Sequence, residues 1–102
     1  MNEQNIDIGS TESFSEFPAA VTIEREPYWL VLTPEGEYRL FLAICPHAGG
    51  EIRPHNDVLF CPLHFWTFDA TSGACLNGND ECLMQRKVVA MDGRLYAVGG
   101  NY

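Results

Sequence analysis

Two short stretches carry the residue types that could do chemistry. Cys45-Pro46-His47 and Cys61-Pro62-Leu63-His64 each supply a thiolate and, two or three residues later, an imidazole. Such a set suits a thiophilic metal, and four ligands of this kind satisfy a tetrahedral zinc ion. Spacing alone does not decide the metal.

Loops that hold a metal need rigid supports, and the flanking sequence supplies them. Apolar, β-branched and aromatic residues cluster at 21–23, 28–32, 38–44, 58–60, 67–70, 86–91 and 95–98, each run bounded by turn-forming residues. Pro34 and Gly36 within Thr33-Pro34-Glu35-Gly36-Glu37 predict a tight hairpin, and Asp92-Gly93 predicts another of two residues. Residues 38–44 run directly into Cys45, and 58–60 into Cys61, so each ligand loop starts from the end of a strand. Ala48-Gly49-Gly50, Thr71-Ser72-Gly73 and Asn77-Gly78-Asn79-Asp80 read as turns. No segment shows a sustained helical period. The expected class is all-β: short antiparallel strands with the two ligand loops at one end. Residues 1–16, polar and acidic, read as an N-terminal tail or a loosely attached edge segment, and 17–102 as the domain.

A chain of 102 residues accommodates one domain. Its formal charge of -8, from 14 acidic and 6 basic residues, disfavours nucleic acid and anionic membranes and favours partners with basic docking faces. Neither a secretory pattern nor a long apolar span is visible, so a soluble, cytoplasmic and monomeric protein is expected. In a reducing compartment Cys75 and Cys82 are expected as free thiols, and His55, following Pro54 in a polar stretch, as an exposed loop residue.

The two motifs, followed by Phe65-Trp66-Thr67-Phe68-Asp69 and Thr71-Ser72-Gly73, resemble the Rieske iron–sulfur family: Cys-x-His, a spacer, Cys-x-x-His, then an aromatic, an Asp and a Gly turn. The resemblance runs from about Tyr38 to Val98. It implies one 2Fe-2S cluster per chain, with Cys45 and Cys61 on the inner iron and His47 and His64 on the outer one, and no catalytic residue. High-potential members carry a disulfide between the ligand loops and place Ser and Tyr hydroxyls near the sulfurs. This chain has Gly50, Leu63, Trp66 and Phe68 at those positions, which implies a potential toward the low end of the family's span of roughly -150 to +300 mV. Three departures stand out: the spacer between His47 and Cys61 is short, Phe65 replaces a usual Gly or polar residue, and no Pro follows in the loop 74–84.

The resemblance therefore implies an electron carrier that is not catalytic alone: a ferredoxin passing electrons from a flavin-containing reductase to a terminal oxygenase. A second expectation is a small subunit of a larger oxidoreductase such as nitrite reductase. A third, of another class, is a structural zinc-binding interaction domain. Phe65 and Trp66 beside the last ligand are expected to cap the cluster.

Overall fold

The computed structural model describes residues 5–45, 50–55, 58–62, 65–77 and 82–100. These form nine strands: β1 (Asn5–Ser10), β2 (Ala19–Ile23), β3 (Glu26–Leu32), β4 (Tyr38–Leu42), β5 (Arg53–His55), β6 (Val58–Cys61), β7 (Trp66–Asp69), β8 (Gln85–Met91) and β9 (Arg94–Val98), with one 3-10 turn at Thr11–Ser13. A six-stranded sheet runs β1-β9-β8-β4-β3-β2, and a three-stranded sheet runs β5-β6-β7, with every pairing antiparallel. The all-β class expected from the sequence is the class observed. Among the described residues no helix is long and apolar enough to cross a membrane.

The central strands β3 and β4 of the large sheet pack on both faces, which is why they read as nearly continuous apolar runs. Side chains alternate along a strand. Tyr28, Leu30 and Leu40 therefore join Ile23, Leu95 and Ala97 in one core, while Val31 and Phe41 join Ala43, Cys45, Ile52, Leu59, Cys61, Phe68 and Leu83 in another. The second core seals the large sheet to the three-stranded one. Both cysteines that precede the ligand loops lie inside it.

The hairpins follow their turn chemistry. Asp92 and Gly93 both take positive φ (54° and 77°), the backbone twist that two-residue antiparallel turns need. Gly36 does the same beyond Pro34, and its N–H donates to the Thr33 carbonyl at 2.9 Å. The β2–β3 turn uses Glu24 and Arg25 at φ 53° and 73° without a glycine, so nothing in its composition announced it.

One element differs from the sequence reading. The polar stretch before Asn56 contains β5, which pairs with β6, and His55 sits on that exposed strand rather than in a loop, its ring 5.6 Å from Phe60. Residues 5–10 form an edge strand on β9 with Ile6 and Ile8 against the first core. Arg94 fastens that edge by donating to both carboxylate oxygens of Asp7, at 2.8 and 3.1 Å.

Candidate metal centre

The first ligand loop rises from a stem closed by backbone hydrogen bonds. Cys45 N–H donates to the Gly50 carbonyl at 2.8 Å, Ile44 pairs with Glu51, and Ile52 N–H donates to the Ala43 carbonyl at 2.9 Å. Trp29, on β3, secures the returning limb by donating its indole N–H to the Ile52 carbonyl at 2.8 Å. Trp29 lies in the apolar run 28–32, and nothing in that run announced its anchoring of this stem.

The second loop is a tighter excursion between β6 and β7, whose last pair is Cys61 with Trp66. Phe65 N–H donates back to the Cys61 carbonyl at 2.7 Å, and Phe65 itself adopts φ 58°. A non-glycine residue pays for that left-handed backbone, which gives a physical reason why glycine suits the position. Phe65 is 71% exposed and so does not cap the site, contrary to the expectation from sequence. Trp66 does pack against the core, edge-on to Phe68 with ring centroids 6.4 Å apart. The Phe65→Gly variant is accordingly expected to melt at or slightly above the wild-type temperature, by up to about 1 kcal/mol of relieved backbone strain. A clear loss of stability in thermal unfolding would show that the exposed ring is structurally needed.

Below the second loop, β7 enters a turn built around Asp69. Its carboxylate accepts from the Thr71 N–H (2.7 Å), the Thr71 hydroxyl (2.6 Å) and the Ser72 N–H (3.3 Å). These bonds, the Thr71 hydroxyl foremost, hold its pKa below the ordinary carboxylate value. Asp7 is lowered likewise, first by the Arg94 hydrogen bond. A carboxyl with a depressed folded-state pKa stabilises the fold above its unfolded value of about 3.9, and that contribution is lost as pH falls through the folded value. The melting temperature of wild type should therefore fall more steeply below about pH 4 than that of Asp69→Asn. Parallel acid limbs for the two proteins would contradict this.

Cys45 and Cys61 are 2% and 0% exposed and share one apolar cluster. An apolar pocket solvates a thiolate poorly, whereas a bound metal ion makes a buried thiolate stable, so the pair fits a thiophilic inorganic group. His47 and His64, with Leu63 of the second motif, lie outside the described residues. Among the described residues no group of three or more His, Cys, Asp or Glu side chains converges. Cys75 and Cys82 are free thiols, with Cys75 packed against the same core. Gly50 is buried at the foot of the first loop.

The described residues form an all-β domain with a pair of buried thiols at two loop stems. The chain belongs to the Rieske [2Fe-2S] domain family, whose model matches residues 4–90, and the cofactor of that family is a 2Fe-2S cluster. The fold is similar to that of a protein described as the NADPH nitrite reductase small subunit (TM-score 0.65, 21% identity, 92% of this chain and 97% of that one). It is also similar to a protein of Mycobacterium tuberculosis described as an NADH-dependent nitrite reductase small subunit (TM-score 0.68, 12% identity, 98% of each chain). Dicamba monooxygenase is 28% identical with a TM-score of 0.70, but the match takes in 95% of this chain and only 33% of the oxygenase. Comparison with curated proteins finds no match. The chain is a Rieske electron-transfer domain.

Proposed function

We propose that this chain is a mobile one-electron carrier, a Rieske ferredoxin that accepts an electron from a flavin-containing reductase and delivers it to a terminal oxygenase, with Cys45, His47, Cys61 and His64 as the cluster ligands. When bound, the cluster supplies reversible one-electron storage, and mixed thiolate and imidazole ligation sets its potential. The observation that carries the reading is the asymmetry of the site: both thiols are almost wholly buried, while Phe65, next to His64 in sequence, is 71% exposed. In this reading Cys45 and Cys61 face the protein interior, and the surface beside the second loop is the route by which the electron leaves.

The chain's own residues then have distinct tasks. Trp29 and the backbone bonds at Gly50 hold the first stem. Trp66 and Phe68 keep water from the thiol side of the site. Phe68, fully buried and without a hydroxyl, offers no hydrogen bond to sulfur, which supports a reduction potential toward the low end of roughly -150 to +300 mV. A redox titration with a clearly positive midpoint would contradict that part.

Charge supports a carrier that docks briefly. Among the described residues, four arginines are ion-paired with carboxylates of the chain itself: Arg39 with Glu37, Arg53 with Glu51, Arg86 with Glu24 and Arg94 with Asp7. Most positive charge is thus neutralised locally, and the uncompensated surface charge is negative. Acidic surfaces steer association with basic ones at rates that fall with salt. Stopped-flow reduction by a flavoprotein reductase should slow several-fold as ionic strength rises from about 20 to about 300 mM. A rate indifferent to salt would remove the proposed basic docking faces.

A second reading has its own support. The two proteins described as nitrite reductase small subunits match this chain over nearly the whole length of both, whereas the match to dicamba monooxygenase covers only a third of that enzyme. Here the chain would be a small subunit that stays with a larger oxidoreductase. Stable co-purification with one large subunit at physiological salt supports this reading, and a carrier that elutes alone supports the first.

A further inference from the structure

Asn77 lies outside both ligand motifs, yet its side chain joins the two ends of the peptide segment that leaves the second loop. The carboxamide nitrogen donates to the Phe65 carbonyl at 2.8 Å, and the carboxamide oxygen accepts the Thr67 N–H at 2.8 Å. The Cys75 thiol donates to the same oxygen at 3.7 Å, and Leu76 N–H donates to the Thr67 carbonyl at 2.8 Å. One side chain therefore brackets Trp66, and the neighbouring backbone bond ties the bracket to the loop 74–77. Residue 65 is also where the chain takes its left-handed turn, with the Cys61 carbonyl satisfied by Phe65 N–H.

We propose that Asn77 is a positioning residue for the second ligand loop: by clamping the backbone at residues 65 and 67 it fixes the path on which the chain emerges from Cys61 and His64. The inference rests on those two residues being cluster ligands. Three features make the assignment specific. An amide is the side chain that can donate to one peptide group and accept from another at once, as residues 65 and 67 require. The clamp spans ten to twelve residues of sequence, so it braces one loop with another instead of closing a local turn. Asn77 is itself exposed and outside both cores, so its removal opens no cavity and its effect should be felt in the loop rather than in global stability.

The test compares the cluster-loaded wild-type protein with Asn77→Ala, Asn77→Asp and a control, Thr33→Ala. The control removes a comparable bond, Glu37 N–H to the Thr33 hydroxyl at 3.0 Å, in the remote β3–β4 turn. Three quantities are read: the half-time of iron release to an excess of bathophenanthroline disulfonate, hydrogen exchange of the peptide containing Thr67, and the electron paramagnetic resonance g values of the reduced state. Asn77→Ala should release iron about tenfold faster, the scale on which residues supporting metal ligands act. It should also exchange faster at Thr67 and show shifted g values. Asn77→Asp keeps the acceptor for Thr67 but sets a carboxylate oxygen against the Phe65 carbonyl in place of the donor, so it too should release iron faster than wild type; if Asn77→Ala does not fold, this variant decides. Thr33→Ala should match wild type in all three. Wild-type release kinetics and spectrum in both Asn77 variants, or an equal change in the Thr33 control, would overturn the inference. A wild-type protein that holds neither iron nor sulfide would instead overturn the ligand assignment on which it rests.

Discussion

Cys61→Ala should fold and yet hold less than about a tenth of the wild-type iron and acid-labile sulfide. In the proposed site, loss of a thiolate ligand removes one of the four protein bonds that hold the cluster. The fold should persist because the first core, built on Ile23, Tyr28, Leu30, Leu40, Leu95 and Ala97, contains neither thiol. Deleting one buried sulfur costs roughly 1–2 kcal/mol of packing, which a domain of this size tolerates. Elemental analysis beside far-ultraviolet circular dichroism checks both halves. Retention of a full complement of iron by Cys61→Ala would remove Cys61 from the ligand set.

The second large effect is expected at Gly73. This residue adopts φ 79°, and a Cβ there would stand 2.8 Å from Phe41 Cε1, closer than carbon atoms pack. Relief by movement of Phe41 is not cheap, since that ring is fully buried in the core that holds both thiols. Backbone strain of about 1–2 kcal/mol and overpacking of about 1–3 kcal/mol act together, so Gly73→Ala should lose roughly 2–5 kcal/mol. For a domain of about 100 residues that lowers the melting temperature by on the order of 10–25 °C. Gly36→Ala is the matched comparison: it has a positive φ but nothing within 4 Å of the new atom, so its loss should be confined to the backbone share. Equal melting temperatures for the two variants would show that Phe41 does not confine the turn.

Gly73 also illustrates what the sequence disclosed. The Thr71-Ser72-Gly73 turn was legible because Gly after two hydroxyl residues is local turn chemistry, whereas its pressure against Phe41 depends on a strand thirty residues earlier. The same division holds through the chain. Strands β2, β3, β4 and β6 to β9 were readable because burial on one or both faces forces apolar alternation or apolar runs. Strand β5 was not, since Arg53, Pro54 and His55 are all exposed and only pairing to β6 makes them a strand. At the site, the thiols and imidazoles were visible as residue types at a telling spacing. The burial of Cys45 and Cys61 in one cluster follows from tertiary packing, yet it was anticipated by the apolar runs that lead into each. Phe65 went the other way: an aromatic beside a ligand read as a cap, but the positive φ after Cys61-Pro62 turns it out to solvent. Asn77 looked like ordinary turn chemistry because a side chain that bonds to peptide groups ten residues away leaves no local signature.

We propose that two thiolates and two imidazoles hold the 2Fe-2S cluster of this chain. Electron paramagnetic resonance of the dithionite-reduced protein, with iron, zinc and acid-labile sulfide counted on the same sample, tests this ligation most directly. About two irons and two sulfides per chain are expected, with a rhombic signal of the nitrogen-ligated type. A colourless protein with zinc and no sulfide would contradict it.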